Sequence, residues 1–240
     1  MSKIIQGLWV GGELSTMEQL SINSFIKNGY TYHLYIYGDV KNIPAGTTIK
    51  DGNDILQKDL IFTYNIGEGK GSYSAFSNVF RYKLLYDQGG YWVDTDIVCL
   101  NKWNFDDKHY VFGSEIDDGK SKISSCIIKT KQYDELVLYC YNRCMELDLN
   151  NIIWGQIGPS LVSEAVKKFN LEKYVLPVDT FCSINWWDAH NAVNPNYNIN
   201  GIFNKPAIHL WNEVWRRRNI DKNGTFHTDS LYEKLKRKYL

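Results

Sequence analysis

The sequence predicts an α/β fold in which a mostly parallel sheet is flanked by helices. Through the first half of the chain, short apolar or β-branched stretches alternate with amphipathic stretches. This alternation is typical of parallel strands joined by crossover helices. We find no internal repeat and no low-complexity linker. The strands expected in this half cover residues 3–12, 30–39 and 91–100.

Two helices separate these strands, and both show start and stop signals. In the first, residues 15–29, Ser15 or Thr16 can cap the amino end, Glu18 lies in the first turn and Gly29 ends the helix. In the second, residues 72–90, apolar residues recur at spacings of three and four before a glycine pair. The second half is expected to add strands at 109–116, 123–130 and 206–211, and helices at 132–147, 158–169 and 229–240.

Composition indicates a globular protein and excludes several function classes. Hydrophobic residues make up 44% of the 240 residues, and 27 basic residues balance 27 acidic ones, so no global charge favours nucleic acid. Five cysteines without a CxxC pair indicate free thiols in a reducing compartment. No signal peptide or membrane-spanning run is recognisable, so we expect a cytoplasmic protein. Basic clusters at 215–219 and 234–238 suit weak contact with the inner face of a membrane or, equally, solvated helix faces.

The stretch "YDQGGYWVDTDIVCL", residues 86–100, places two acids at the end of an apolar run. Ligands of open α/β sheets bind beyond the carboxyl ends of strands, where Asp94, Asp96 and the Gly11–Gly12 pair are all expected. Residues two apart in a strand face the same side, so the two carboxylates should repel each other unless a cation lies between them. Mg²⁺ or Mn²⁺ suits such oxygen ligands and is usually shared with substrate phosphates. The alternative is a solvated turn.

The helix before these acids contains an arginine in an otherwise apolar segment. Ser74, Asn78 and Arg81 fall on one stripe of that helix. A buried arginine needs a partner, and a bound phosphate would supply one. The alternatives are a salt bridge to Asp87 or a surface position.

Four ordered blocks resemble the bacterial glycosyltransferases that have a sugar-binding DXD region. The blocks are "LWVGGELSTMEQLSINSFIKNGY", "SAFSNVFRYKLLYDQGGYWVDTDIVCL", "GQIGPSL" and "AIHLWNEVW". They are similar to glycosyltransferase family 32, to the α-1,4-glycosyltransferases and, more distantly, to clostridial toxin glucosyltransferases. The resemblance implies a single GT-A domain over residues 1–240, a Rossmann-like nucleotide-sugar fold. Its donor-binding part would span roughly 1–130, and the acceptor side with a metal and diphosphate block 131–240.

The resemblance also implies a donor site. Trp9 would stack on uracil, the alternative being a core tryptophan. Arg81 would contact the donor sugar and diphosphate, Trp92 would lie beside the nucleotide, and Trp215 would cover the phosphates. The full donor-binding set implied by the resemblance is Trp9, Val10, Gly11, Ser77, Asn78, Arg81, Trp92, Asp94, Thr95 and Trp215.

A Mn²⁺ or Mg²⁺ site follows from the same resemblance. Asp96 would bind the metal directly, Asp94 would reach it through water, and His209 and Asn212 would complete the ligands. A histidine bonded to a backbone carbonyl is the alternative for His209. Arg81, Asp94 and Asp96 would be the catalytic residues.

The function implied is transfer of a sugar from a UDP-sugar, with retention, to a saccharide or lipid-linked saccharide acceptor of a capsule or lipopolysaccharide. The family usually has aspartate where this chain has Asn78. Asparagine keeps the shape but loses a charge, which bears on which sugar is accepted. Two other functions remain open: a non-catalytic nucleotide-sugar-binding module, and a metal-dependent nucleotidyltransferase.

Overall fold

The computed structural model describes residues 3–105 and 107–240, which fold around a six-stranded sheet. The strands are β1 (Ile4–Trp9), β2 (Thr31–Ile36), β3 (Thr48–Asp51), β4 (Gly90–Val93), β5 (Ile97–Cys99), β6 (Val111–Asp117), β7 (Lys120–Thr130) and β8 (Ala207–His209). The α-helices are α1 (Thr16–Lys27), α2 (Ser74–Gln88), α3 (Glu135–Met145), α4 (Leu161–Lys168), α5 (Asn212–Arg217) and α6 (Leu231–Tyr239).

The main sheet has the strand order β3-β2-β1-β4-β7-β6. The pairs β3–β2, β2–β1 and β1–β4 are parallel, whereas β7 runs antiparallel to both β4 and β6. Only β7 is therefore reversed within this sheet. The fold class expected from the sequence, a mostly parallel α/β sheet with flanking helices, is confirmed.

The local signals at the first helix also hold. Ser15 caps α1 by accepting a hydrogen bond from the backbone N–H of Met17, at 3.3 Å. Glu18 returns the interaction, since its carboxylate accepts from the backbone N–H of Ser15 at 2.8 Å. This capping box satisfies two donors that a helix start leaves without partners, and it aligns α1 against the sheet.

The side chains of β4 alternate between two cores, one on each face of the sheet. Tyr91 and Val93 belong to the core beneath α1 and α6. Trp92 belongs to the other core, beneath α2, α3 and α4. This period of two buries the strand on both faces and leaves its carboxyl end, where the acids follow, as the edge that can face a ligand.

The late strand β8 does not join the main sheet. It pairs antiparallel with β5, and His209 stands opposite Ile97 in this register. The backbone N–H of Leu210 continues the pairing by donating to the carbonyl of Asp96 at 3.0 Å. The segment around β8, residues 207–212, is thereby attached directly beside Asp94 and Asp96.

Membrane insertion through a helix finds no support in the described residues. None of the helices within 3–105 and 107–240 combines the length and the apolar character needed to cross a bilayer.

The end of α2 gives a test of how tightly the helix and the sheet are joined. Gly89 has φ of 62°, and a Cβ there would lie 2.4 Å from the backbone nitrogen of Gln132. Gly119, in the β6–β7 turn, has a similar φ of 68° but open space around it. We expect Gly119→Ala to cost roughly 1–2 kcal/mol through backbone strain, and Gly89→Ala to cost clearly more because of the added clash.

Urea unfolding of the two variants measures this difference. Because both substitutions impose a positive φ on alanine, Gly119→Ala is the control for that part of the cost. Equal shifts of the two midpoints would contradict the close packing at Gly89.

Candidate functional site

A cavity of about 1210 Å³ opens beyond the carboxyl ends of β1 and β4. It brings together residues from distant parts of the chain, including most of those expected from the sequence. The predicted residues that line it are Trp9, Val10, Ser77, Asn78, Arg81, Trp92, Asp94, Thr95, Asp96, His209 and Asn212.

The two acids occupy a turn between β4 and β5. The carbonyl of Asp94 accepts from the backbone N–H of Ile97 at 3.1 Å, and Thr95 and Asp96 lie inside the turn. The expectation that strand alternation aligns the two carboxylates is therefore wrong. They come together because the chain reverses where β4 ends, and because β8 lies alongside.

Asp96 is 8% exposed and lies against the C-terminal block. Its Oδ2 lies 3.2 Å from Nε2 of His209 and accepts from the backbone N–H of Asn212 at 2.7 Å. Burial acts to raise the pKa of Asp96, but the charge and hydrogen bonds of His209 and Asn212 outweigh it and lower the pKa. For His209 burial acts in the opposite sense, and the Asp96 charge raises its pKa well above 6.5.

This pair corrects the picture of two mutually repelling acids. Without metal, the charge of Asp96 is compensated by the imidazolium of His209. Repulsion between Asp94 and Asp96 therefore does not by itself describe the turn at residues 94–96, called the acid turn below. The sequence could not reveal this, because the two residues lie 113 positions apart.

Asp94 lies in a different electrostatic environment. Its Oδ1 accepts from Nε1 of Trp92 at 2.8 Å and lies 3.1 Å from Nη2 of Arg81. Burial raises the pKa of Asp94 to about 7, with Arg81 opposing the rise and Asp96 adding to it. The side chain remains 26% exposed, on the side that lines the cavity.

Arg81 is 3% exposed, and protein groups hold its guanidinium. It donates to the carbonyls of Ser77 and Ser125, and its guanidinium lies 4.8 Å from the ring centre of Trp92. The alternative of a salt bridge to Asp87 is wrong, since Lys83 pairs with that carboxylate. Arg81 therefore holds the carboxylate of Asp94 in place, and both residues line the cavity.

The donor atoms at the acid turn suit a hard divalent cation. Ligand atoms of Asp94, Asp96 and His209 all lie within 4.8 Å of one another. Nearby, Oδ1 of Asn212 is buried and has no hydrogen-bond partner. An acceptor that has lost water without gaining a donor is costly unless something binds it. The set of oxygens with one imidazole nitrogen fits Mn²⁺ or Mg²⁺.

Trp9 is partly buried, with a basic residue above its ring. Nζ of Lys222 lies 5.5 Å from the ring centre, and this lysine is held in turn by Glu18 at 2.7 Å. The Trp9 Nε1 is buried without a partner. Gly11 does not line the cavity, and a Cβ there would approach the Trp9 Nε1 at 3.1 Å, so glycine gives the indole its room.

The other two tryptophans of the implied donor site lie deeper. Trp92 is 1% exposed and acts on the cavity through its bond to Asp94. Trp215 is fully buried, 4.9 Å from the ring of Tyr232, and does not line the cavity. The expectation that Trp215 covers the phosphates is therefore wrong: α5 turns this residue inward, toward the core beneath α6.

Several residues that the sequence did not single out complete the cavity. Trp211 lines it and stacks on His209, with ring centres 3.8 Å apart. Glu115 also lines the cavity. Its pKa is raised to about 7, mainly by burial and to a smaller extent by the neighbouring Cys126. Trp211 lies in the same "AIHLWNEVW" block as Trp215, and of these two rings it is Trp211 that lines the cavity.

Asn78 is packed into the cavity wall. It is 5% exposed, and a Cβ on Gly158 would lie 3.2 Å from both polar atoms of its side chain. Gly158 therefore allows the loop before α4 to close over Asn78, which ties the second half of the chain to α2.

The first basic cluster is engaged within the protein. Arg216 pairs with Glu213 and Arg217 with Glu68, while Arg218 donates to the carbonyl of Trp187 at 3.0 Å. These contacts favour the solvated-face interpretation of residues 215–219 over a membrane contact.

Comparison with known proteins agrees with this geometry. Residues 15–112 match the family described as "Glycosyltransferase sugar-binding region containing DXD motif". This part of the chain is thus similar to a glycosyltransferase sugar-binding region. The DXD motif is Asp94-Thr95-Asp96, and the resemblance expected from the sequence is confirmed. The matched region of this glycosyltransferase-like chain ends before His209 and Asn212, so it does not include the C-terminal half of the site.

Solved structures show a more general likeness. They include the PaToxG glycosyltransferase (15% identity, 70% of this chain and 69% of that one, TM-score 0.48). The UDP-bound glycosyltransferase domain of the YGT toxin shares 9% identity over 97% of this chain and 81% of that one, with a TM-score of 0.43. The catalytic domain of alpha-toxin from Clostridium novyi shares 11% over 100% and 80%, with a TM-score of 0.40. No curated protein matches the sequence.

The Asp96–His209 pair predicts how the metal-free protein responds to substitution and pH. Removing one partner of a buried pair leaves the other charge uncompensated, so Asp96→Asn should reduce the free energy of unfolding by about 3 kcal/mol. The contribution should be complete from roughly pH 4 to pH 6.5. It should be lost as pH falls through the lowered pKa of Asp96, or rises through the raised pKa of His209.

Urea unfolding in the presence of a chelator, across this pH range, tests the pair. His209→Gln and the double variant complete a double-mutant cycle, which isolates the coupling between the two residues. Additive effects at pH 6 would contradict the ion pair.

Proposed function

We propose that this protein is a metal-dependent, retaining glycosyltransferase that uses a nucleoside diphosphate sugar, specifically a UDP-sugar, as donor. The observation that carries the proposal is the convergence of Asp94, Asp96, His209 and the orphaned Oδ1 of Asn212 beyond the carboxyl end of β4. Of these residues, Asp94 and Asp96 lie within residues 15–112, which match a sugar-binding region containing a DXD motif. Two acids in a solvated turn would need no other ligands nearby, whereas here a buried imidazole and a buried amide oxygen lie beside them.

The donor is proposed to lie along the cavity from β1 to β8. Its base would contact Trp9 and Val10, which lie at the end of β1. Its diphosphate would lie at Asp96 and Asn212, where a divalent cation would neutralise the phosphates and stabilise the departing nucleoside diphosphate. The sugar would then lie over Asp94, near Ser77.

Arg81, Trp92 and Asp94 are proposed to act as one unit under the sugar. Arg81 and Trp92 fix the Asp94 carboxylate from two directions, at 3.1 and 2.8 Å. A carboxylate held in this way offers a preorganised acceptor to a sugar hydroxyl without further loss of side-chain freedom. The same commitment argues against Asp94 as a covalent nucleophile.

We propose that retention results because the acceptor hydroxyl attacks the anomeric carbon from the same face of the sugar from which the leaving group departs. The acceptor hydroxyl would approach from the cavity wall formed by residues of the second half of the chain, including Trp154, Ser163 and Trp186. Trp154 and Trp186 are 39% and 36% exposed, so their rings offer flat apolar surface to a saccharide. We propose a glycan or lipid-linked saccharide as acceptor.

A non-catalytic nucleotide-sugar-binding module is the second candidate, and Asn78 favours it. This asparagine occupies the position of the acid expected from the resemblance, and it is packed against Gly158. A panel of radiolabelled nucleotide sugars, incubated with and without Mn²⁺, separates the candidates. Hydrolysis or transfer supports the enzyme, and binding without turnover supports the module. Release of diphosphate from a nucleoside triphosphate would support a nucleotidyltransferase.

Asn212 gives a test of the cation site that leaves the Asp96 contact in place. Asn212→Ala removes the orphaned Oδ1 but keeps the backbone N–H that donates to Asp96. We expect Mn²⁺ binding in the presence of UDP to weaken about tenfold or more, the usual scale for groups that support a metal site. Asp96→Asn should weaken it further.

Calorimetric titration of Mn²⁺ with UDP present measures both changes. Ser163→Ala, which alters another polar residue of the cavity lining, is the control and should bind as the parent does. If Asn212→Ala and Asp96→Asn both bind Mn²⁺ as the parent does, the proposed cation site is wrong.

Trp9 provides a separate test of the base site. If the base stacks on this ring, Trp9→Ala should weaken UDP binding by about 1–3 kcal/mol, the range for stacking of a base on an aromatic side chain. Trp9→Phe should recover part of the loss, since it restores a ring. Loss of thermal stability with unchanged UDP affinity would instead identify Trp9 as a core residue.

A further inference from the structure

Behind the acid turn lies a second cluster of metal-binding side chains. Cys126 lies on β7, Cys182 lies in the loop after residue 180, and His209 ends β8. Their ligand atoms all lie within 4.8 Å of one another. All three side chains are buried, with exposures of 2%, 2% and 6%.

The two clusters share one imidazole, which faces each of them with a different nitrogen. Nε2 of His209 lies 3.2 Å from Oδ2 of Asp96. Nδ1 lies 3.9 Å from Sγ of Cys182. His209 thus separates an oxygen-rich set from a sulfur-rich set.

We propose that Cys126, Cys182 and His209 form a binding site for a thiophilic divalent cation of the Zn²⁺ class. Two thiolates and one imidazole are donors that zinc binds, and on binding the two thiol protons and the Nδ1 proton of the His209 imidazolium would leave. Typical zinc bond lengths in tetrahedral geometry place a sulfur and a nitrogen roughly 3.6 Å apart. The observed 3.9 Å between Sγ of Cys182 and Nδ1 of His209 is close to that separation.

The cation can reach this site from the donor cavity. Cys126 and His209 both line the cavity, although little of either side chain is exposed. With three protein ligands, the fourth tetrahedral position is left for water or for a group inside the cavity. Such a site suits an exchangeable ion more than a permanent structural one.

Another thiol pair in the chain lacks this arrangement. Cys140 and Cys144 lie one turn apart on α3 and are fully buried. Among residues 3–105 and 107–240, no further His, Cys, Asp or Glu completes a donor set with them. They therefore provide a matched comparison for the effect of burying a thiol without an imidazole.

Sharing of His209 makes the two cation sites antagonistic. A neutral imidazole has one lone pair, on the nitrogen that carries no proton. Binding of zinc through Nδ1 places the proton on Nε2, which then donates to Asp96 and cannot bind a second cation. A thiophilic cation would thus remove one ligand from the Mn²⁺–UDP site. This consequence rests on the proposed function, whereas the thiol site itself does not.

Titration with Co²⁺, a spectroscopic substitute for Zn²⁺, tests the thiol site in the reduced, chelator-treated full chain. We expect a sulfur-to-cobalt charge-transfer absorption that saturates at one ion per chain. Cys126→Ser and Cys182→Ser should each abolish it, and Cys140→Ser should retain it. Absence of the band in the parent, or its survival in both Cys126→Ser and Cys182→Ser, would overturn the proposal.

A measurement on the parent alone covers the case in which the serine variants fail to fold. In mild urea, Zn²⁺ should slow alkylation of Cys126 and Cys182, detected by peptide mass spectrometry, and leave the rate at Cys140 unchanged. Equal protection of all three thiols would reflect general stabilisation and would overturn the site.

Calorimetry of Mn²⁺ with UDP, repeated after one equivalent of Zn²⁺, tests the antagonism. Binding should weaken about tenfold in the parent, the scale expected for losing support at a metal site. Cys182→Ser should be insensitive to Zn²⁺. Equal weakening in both proteins would place zinc on the acid pair and overturn the antagonism. If the cobalt band is present but Mn²⁺–UDP does not bind to the parent even without Zn²⁺, the proposed function fails and the thiol site stands.

Discussion

The contact between Asp96 and His209 is the interaction on which the site depends. It joins the turn after β4 to the C-terminal strand β8, and the backbone reinforces it through the β5–β8 pairing and the N–H of Asn212. Without the imidazole of His209, Asp96 would be buried with its charge unpaired by that side chain, which is costly in a protein interior. The second half of the chain therefore makes the acid turn of the first half tolerable, and the two halves produce one site.

The two acids differ in environment, and this difference allows them different tasks. Asp96 has a lowered pKa and stays ionised, which suits a ligand of a cation. Asp94 has its pKa raised to about 7 and is held by Arg81 and Trp92, which suits a hydrogen-bonding partner for a neutral substrate group. One short turn thus presents two carboxylates of unequal character because their neighbours come from different cores of the protein.

The sequence predicted the fold well because its signals are local. Ser15 and Glu18 mark the start of α1, and the glycine pair marks the end of α2, through contacts within a few residues. The partners of Asp96 could not be read in this way, since His209 reaches it only through the β5–β8 pairing. Trp215 was misassigned for the same reason: which ring of its block faces the cavity depends on how α5 packs against α6, and sequence spacing does not encode that.

Trp211 shows how the fold accommodates this arrangement. It has φ of 60° and ψ of 53°, a left-handed conformation that costs a non-glycine residue roughly 1–2 kcal/mol. The conformation turns the chain from β8 into α5, where the N–H of Asn212 meets Asp96. It also places the Trp211 ring on His209, while its Nε1 donates to the carbonyl of Ile184 at 2.8 Å. The strain is thus located where it aims an amide at the acid turn and fixes the imidazole that both cation sites would use, as expected of a strained residue at a functional site.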